Sequence, residues 1–212
     1  MIPVIIATAV ITVIIVTFVV QSHGDVKKIH ALASSIDMKT SQSFFRGLMA
    51  LSSSYPRTRI WITRWEDPSC DGPALLMEFT FTNALLYPLS IANAQSIILG
   101  LPFERPFSRP RGLQEIPQSI IPADSIHVFA RDRDRDRVLA LLADIDDVLT
   151  AFCNISRQRE ALFYLGRKKL KISVDIGTSL DNLQMLYHSA AACAEAVEKK
   201  TVSLHDREVY ER

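Results

Sequence analysis

The chain has 212 residues, a formal net charge of +1 and 22% charged residues. That length supports one domain or two small ones beside any anchor, and a charge so near zero argues against bulk electrostatic binding of nucleic acid. Cys70, Cys153 and Cys193 are far apart and odd in number, which gives neither a disulfide framework nor a CxxC metal site and reads as free thiols in a reducing compartment.

The N-terminus carries the clearest signal. Ile2 to Val20 has no charged residue and is broken only by Pro3 and by Thr8, Thr12 and Thr17. At ~1.5 Å rise per residue a helix of that length spans about 28 Å, close to the hydrocarbon thickness of a bilayer. Pro3 falls in the first turn, where its missing N–H is not needed. Ser22 and Gly24 form a small-x-small pair that would suit a cleaved signal peptide. However, no Lys or Arg precedes the run, and the run exceeds the usual h-region, so a retained anchor is preferred. Lys27, Lys28 and Lys39 follow it, and the positive-inside rule then puts the rest of the chain in the cytoplasm. Thr8, Ala9 and Thr12 give the anchor one small, polar face, a candidate helix contact. The bland alternative is that the threonine hydroxyls bond to their own helix backbone.

After the anchor, Val26, Ile29, Leu32 and Ile36 lie on one stripe, which predicts a helical stalk over 25–37. A second helix is predicted from Ser41, with Phe44, Phe45, Leu48, Met49 and Leu51 as its apolar face. Residues 57–65 read as a strand, as does 75–82, where Leu75, Met77, Phe79 and Phe81 alternate with Leu76, Glu78, Thr80 and Thr82. A third strand over 85–92 is restricted to a sheet edge by Pro88. Pro102, Pro106, Pro110, Pro117 and Pro122 make 102–122 an irregular surface segment. Strand 125–130 leads through a charged run into a helix with Val138, Leu141, Leu142, Ile145, Val148, Leu149 and Phe152 on one face. Strands follow at 161–165 and 170–176. In the second, Leu170, Ile172, Val174 and Ile176 alternate with Lys169, Lys171, Ser173 and Asp175, the pattern of a sheet packed on one face and wet on the other. Thr178 or Ser179 starts a last helix with Leu180, Leu183, Tyr187, Ala190, Ala194 and Val197 inward. The organisation expected is a transmembrane anchor over 1–22, a helical stalk or linker over 23–55, a soluble α+β domain over 56–200 and a frayed tail over 201–212. The domain should hold an antiparallel or mixed sheet packed by helices.

Chemistry-bearing motifs are few. Asp132, Asp134 and Asp136 alternate with arginines, but a calcium loop starting at Asp132 would have Arg137 where glycine is needed and Ala143 where glutamate is needed. These acids instead suit the start of a helix. His23, His30, His127, His188 and His205 share no HxxxH or HExxH spacing, and there is no GxSxG, P-loop or GxGxxG. No metal or cofactor is expected. Asn154-Ile155-Ser156 matches a glycosylation sequon, which a cytoplasmic domain would not use. Arg157, Arg159, Arg167, Lys168, Lys169 and Lys171 form the densest basic group, which reads as a solvated hairpin turn or as a surface for anionic lipid or an acidic partner. Trp61 and Trp65 share a strand face, for which core packing outweighs a membrane-proximal role.

The stretches SIHVFARDRDRDRVLALLADIDDVL, ALFYLGRKKLKISVDIG and SLDNLQMLYHSAAACAEAV carry a strand, a charged turn, a leucine-rich helix, two strands and a closing helix. In this order they resemble a group of bacterial single-pass membrane proteins with no assigned activity. The resemblance implies a bacterial anchored domain and transfers no functional residue. The expected function is therefore a non-enzymatic accessory or scaffold subunit of a larger membrane complex, an energy-converting one being one setting. Its partners would be membrane lipid and other membrane subunits. The alternatives are a membrane-tethered enzyme with a dispersed active site and a lipid-binding surface domain. A buried polar pocket holding His127 or His188 beside a cysteine or carboxylate would favour the enzyme.

Overall fold

Strand alternation around Leu75, Met77 and Phe79 sets the centre of the molecule, because these side chains must leave water together on one sheet face. The computed structural model describes residues 24, 26–43, 47–52, 57–63, 74–85, 87–93, 112–117 and 126–210. Helix α1 covers 26–35. It is followed by β1 (Lys39–Ser43), β2 (Gly47–Leu51), β3 (Arg57–Thr63), β4 (Ala74–Thr80), β5 (Leu89–Asn93), β6 (Gln114–Glu115) and β7 (Ile126–Ala130). A short 3-10 turn, Asp132–Asp134, leads into α2 (Arg135–Asp144) and α3 (Asp146–Gln158). Then come β8 (Leu162–Leu165), β9 (Lys169–Asp175) and α4 (Leu180–Tyr210). The strands form one sheet in the order β1-β2-β3-β4-β9-β8-β5-β7-β6, and every neighbouring pair is antiparallel. This is an α+β fold.

One sheet face carries the helices. Ile60, Leu75, Met77, Phe79, Ile91, Val128, Phe163, Leu165, Ile172 and Val174 share a core with the apolar stripes of all four helices. Ser179 Oγ accepts the Asn182 N–H at 3.4 Å to start α4, and Leu183, Tyr187, Ala190, Ala194 and Val197 are buried, as their spacing predicts. Glu198 ties α4 to the end of β4: its carboxylate accepts the backbone N–H of Thr82 at 3.2 Å and of Asn83 at 2.7 Å.

Several expectations change. The described parts of 41–51, residues 41–43 and 47–51, are strand rather than helix; β1 and β2 pair antiparallel with Ser41 opposite Met49 and Thr40 opposite Ala50. Thr, Ser and Gly are poor helix formers, and pairing with β3 outweighs the apolar spacing that suggested a helix. The described part of 23–55 thus holds paired strands as well as a helix, where a helical stalk or linker was expected. Ile29 is 1% exposed and Leu32 fully buried, so α1 is a core helix, and Lys28 Nζ donates to the Ile176 carbonyl. β5 is internal, flanked by β8 and β7, because Pro88 sits just before the strand, where its missing N–H breaks no ladder. The helix read as continuous over 138–152 breaks at Ile145 into α2 and α3, and its inward residues are buried on both sides of the break except Val148, which is half-buried against the core. The last helix runs on to Tyr210 rather than fraying after Lys199, with Thr201 buried and its hydroxyl donating to the Val197 carbonyl at 2.8 Å. Within the proline-rich segment, β6 pairs with β7, and the Ile116 N–H donates to the Val128 carbonyl at 2.8 Å. The anchor, Ile2–Val20, with Thr8, Ala9 and Thr12, lies outside the described residues, as do His23, Trp65 and Cys70. Among the described residues no helix is long and apolar enough to cross a membrane.

Two helices end in the same way without glycine. Asp37 and Glu160 adopt φ of 52° and 51°, and the next residue's N–H reaches back to close the turn: Met38 to Ala33 and Ala161 to Ser156. This is the Schellman arrangement, in which glycine is favoured because a Cβ is strained in the left-handed region. Asp37→Gly and Glu160→Gly should each raise the unfolding free energy by about 1 kcal/mol, read from urea midpoints at constant slope. A loss of stability in both would show that the side chains themselves, rather than the backbone geometry, hold these ends.

Candidate functional site

The second sheet face is not wet. Leu76, Ala92, Leu162, Phe129, Ser90, Ser173 and Lys171 are all buried there. Register lines up a row across the strands: Leu51 faces Arg59, Arg59 faces Glu78, Glu78 faces Lys171, Lys171 faces Tyr164, Tyr164 faces Ala92 and Ala92 faces His127. Directly opposed side chains on one face interact, so opposite charges here reinforce the pairing. Glu78 lies 3.9 Å from Lys171 and 3.4 Å from Lys169, with the Lys171 side chain 5% exposed and that of Glu78 15%. An ammonium so deeply buried requires a nearby carboxylate. The Tyr164 ring lies back along its strand over Gly166, where a Cβ would come within 2.6 Å of the ring. The Ser90 hydroxyl is buried with no hydrogen-bond partner among the described residues. At the far end of the row, His127 Nδ1 sits 2.6 Å from Glu115 Oε1 and links β7 to β6; the side chains are 36% and 49% exposed, so this is not a sequestered acid–base pair.

A second feature is a groove of about 580 Å³ between α3 and α4, lined by Ile155, Asp181, Gln184, Met185, His188 and Ser189. It is open to solvent, and the Arg159 guanidinium leans on the Met185 sulfur at 3.9 Å at its edge. The His188 ring packs edge-on against Tyr187, which in turn touches Phe79. Neither histidine therefore sits in a buried polar pocket beside a cysteine or carboxylate.

The basic residues grouped by sequence are separated by the fold. Arg157 and Arg159 are at the end of α3. Arg167 and Lys168 are exposed in the β8–β9 turn, where Arg167 Nε donates to the Leu85 carbonyl at 3.1 Å. Lys169 and Lys171 belong to the outer row, and Lys171 is too buried to meet a head group. Sequence alone could not find the row, since Glu78 and Lys171 meet only through the β4–β9 ladder. Asp132 and Asp136 are exposed, while Asp134 is buried 3.9 Å from Arg133. Trp61 is half-buried on the outer face, its register partners Met49 and Leu76. Cys153 and Cys193 are buried free thiols. Burial pushes Cys193 up to about 12, and burial, then the neighbouring Cys193, raises Cys153 as well.

No family model matches the chain, and no curated protein matches it. It is similar in fold to the crystal structure of the mycobacterial trehalose monomycolate transport factor A, TtfA, with a TM-score of 0.52 and 8% sequence identity. The match covers 82% of this chain and 94% of that one.

Two outcomes follow from this geometry. Glu78→Gln removes the carboxylate facing a buried ammonium and should cost about 3 kcal/mol in denaturant unfolding. Glu78→Leu combined with Lys171→Met should cost less than the single change, and an equal or larger loss would mean the pair is not the dominant contact. The Cys193 thiol has an ordinary value of 9.0 and keeps its proton in the fold up to about 12. In that interval the native state binds more protons than the unfolded chain, so stability is full below the interval and falls as pH rises through it. Between about pH 8 and pH 10 the fall in urea midpoint should be shallower in Cys193→Ala than in the parent chain. Identical slopes would exclude the thiol as a cause.

Proposed function

We propose that the chain is a non-enzymatic, membrane-anchored accessory or scaffold subunit of a larger membrane assembly, with the domain on the cytoplasmic side. The observation that carries this reading is the placement of α1. The apolar run Ile2–Val20 is followed within a few residues by a helix whose Ile29 and Leu32 are core residues. An anchor joined so closely to a core would hold the domain in one orientation at the bilayer, as suits a subunit that must meet partners in the membrane. The fold likeness to a transport factor favours a transport assembly over an energy-converting one. The open α3–α4 groove, with an exposed methionine on its wall, supplies an adaptable contact surface. An enzyme with a dispersed site is the second reading. Its one structural support is the close His127–Glu115 pair.

Purification of the full chain in mild detergent should recover at least one integral membrane protein in a fixed ratio. Replacing Ile2–Val20 by a leucine–alanine helix of equal length then separates contacts made by Thr8, Ala9 and Thr12 from those of the domain. Recovery of the chain alone, while it remains folded and membrane-bound, would sink the accessory reading.

A further inference from the structure

The two large apolar side chains that are exposed among the described residues, Val26 at 37% and Met185 at 47%, belong to one end of the domain. Lys28, two residues after Val26, bonds to the carbonyl of Ile176, which immediately precedes the turn into α4. Met185 follows less than two turns into that helix and touches Arg159 just past the end of α3. The start of α1, the start of α4 and the end of α3 therefore meet at the end where the apolar N-terminal run enters. Val26 continues the stripe of Ile29 and Leu32 beyond the point where the core can cover it.

Lys27 follows Val26 in α1, Arg159 touches Met185, and Arg157 lies in the last turn of α3; none of the three makes an ion pair among the described residues. Among the described residues the acids at this end are Glu160, Asp175 and Asp181, and the Asp175 carboxylate accepts the Gly177 N–H. Exposed apolar side chains interleaved with unpaired cations on long apolar stems are the composition of a surface that lies in a head-group layer.

We propose that this end of the domain rests on an anionic bilayer, with Val26 and Met185 in the interfacial layer and Lys27, Arg157 and Arg159 against lipid phosphates. The proposal depends on Ile2–Val20 being a bilayer anchor. It assigns a lipid contact to two of the basic residues singled out in the sequence and withholds it from Lys171.

The test uses the full chain carrying Cys70→Ser, in vesicles of phosphatidylcholine with phosphatidylglycerol. A spin label is placed at Met185→Cys or, as a water-exposed reference beyond the far end of α1, at Thr40→Cys. The buried Cys153 and Cys193 thiols, both shifted upward, are poor competitors for the label at neutral pH. The label at 185 should be several-fold less accessible to a water-soluble nickel relaxant than the label at 40, and more accessible to oxygen. Arg157→Glu with Arg159→Glu, or vesicles of phosphatidylcholine alone, should bring position 185 toward the reference value. Equal accessibility at 185 and 40 in chain that floats with the vesicles overturns the surface contact and leaves the anchor standing. Chain that does not float overturns both.

Discussion

The sheet is made in two parts, and one ladder joins them. β1 to β4 form a meander from the first half of the chain, while β5 to β9 come from later residues. They meet where β4 pairs with β9 from Ala74–Asp175 to Thr80–Lys169. The joint continues past the strands, where the Phe81 N–H donates to the Lys168 carbonyl and the Leu85 N–H to that of Arg167. Both faces depend on it. Inside, it sets Met77 and Phe79 beside Ile172 and Leu170; outside, it sets Glu78 against Lys171. Since its partners are far apart in sequence, this contact requires closing a long loop before it brings any return, which makes it a slow event in folding.

That dependence explains what the sequence could and could not reveal. The region from β7 to α4 was legible because its helices and β9 are long and periodic. The stripe of α4 and the alternation of β4 identified their inward faces correctly. The hairpin of β1 and β2 was not legible, because Leu48, Met49 and Leu51 satisfy a helical spacing as well as a strand, and only pairing with β3 decides between them. The outer row was hidden for a related reason. Lys171 and Ser173 alternate with Leu170, Ile172 and Val174, which reads as a solvent-facing side, yet both are buried. Periodicity within one strand carries no record of what lies against its second face.

The basic residues show the same limit from the other direction. Six cations close in sequence suggested one patch, but a strand sends alternate residues to opposite faces and a helix end can lie far from the turn that follows it. The fold puts Arg159 beside Met185 and Arg157 in the last turn of α3, gives Lys169 and Lys171 to Glu78, and keeps Arg167 and Lys168 at a turn. Similar charges thus acquire different roles, and a position between 157 and 171 in the chain does not define one surface.

The two margins of the sheet have a further consequence. At one margin β1 presents Lys39, Thr40 and Ser41, polar and exposed; at the other β6 is only two residues long. A margin that is polar or very short is a poor template for adding a strand from another molecule, and a lysine there resists edge-to-edge growth. Crowding this protein on a two-dimensional surface, where local concentration rises steeply, should therefore not drive strand exchange between copies. Associations formed under such crowding would use the helical layer instead, whose contacts can be made and released without opening the sheet.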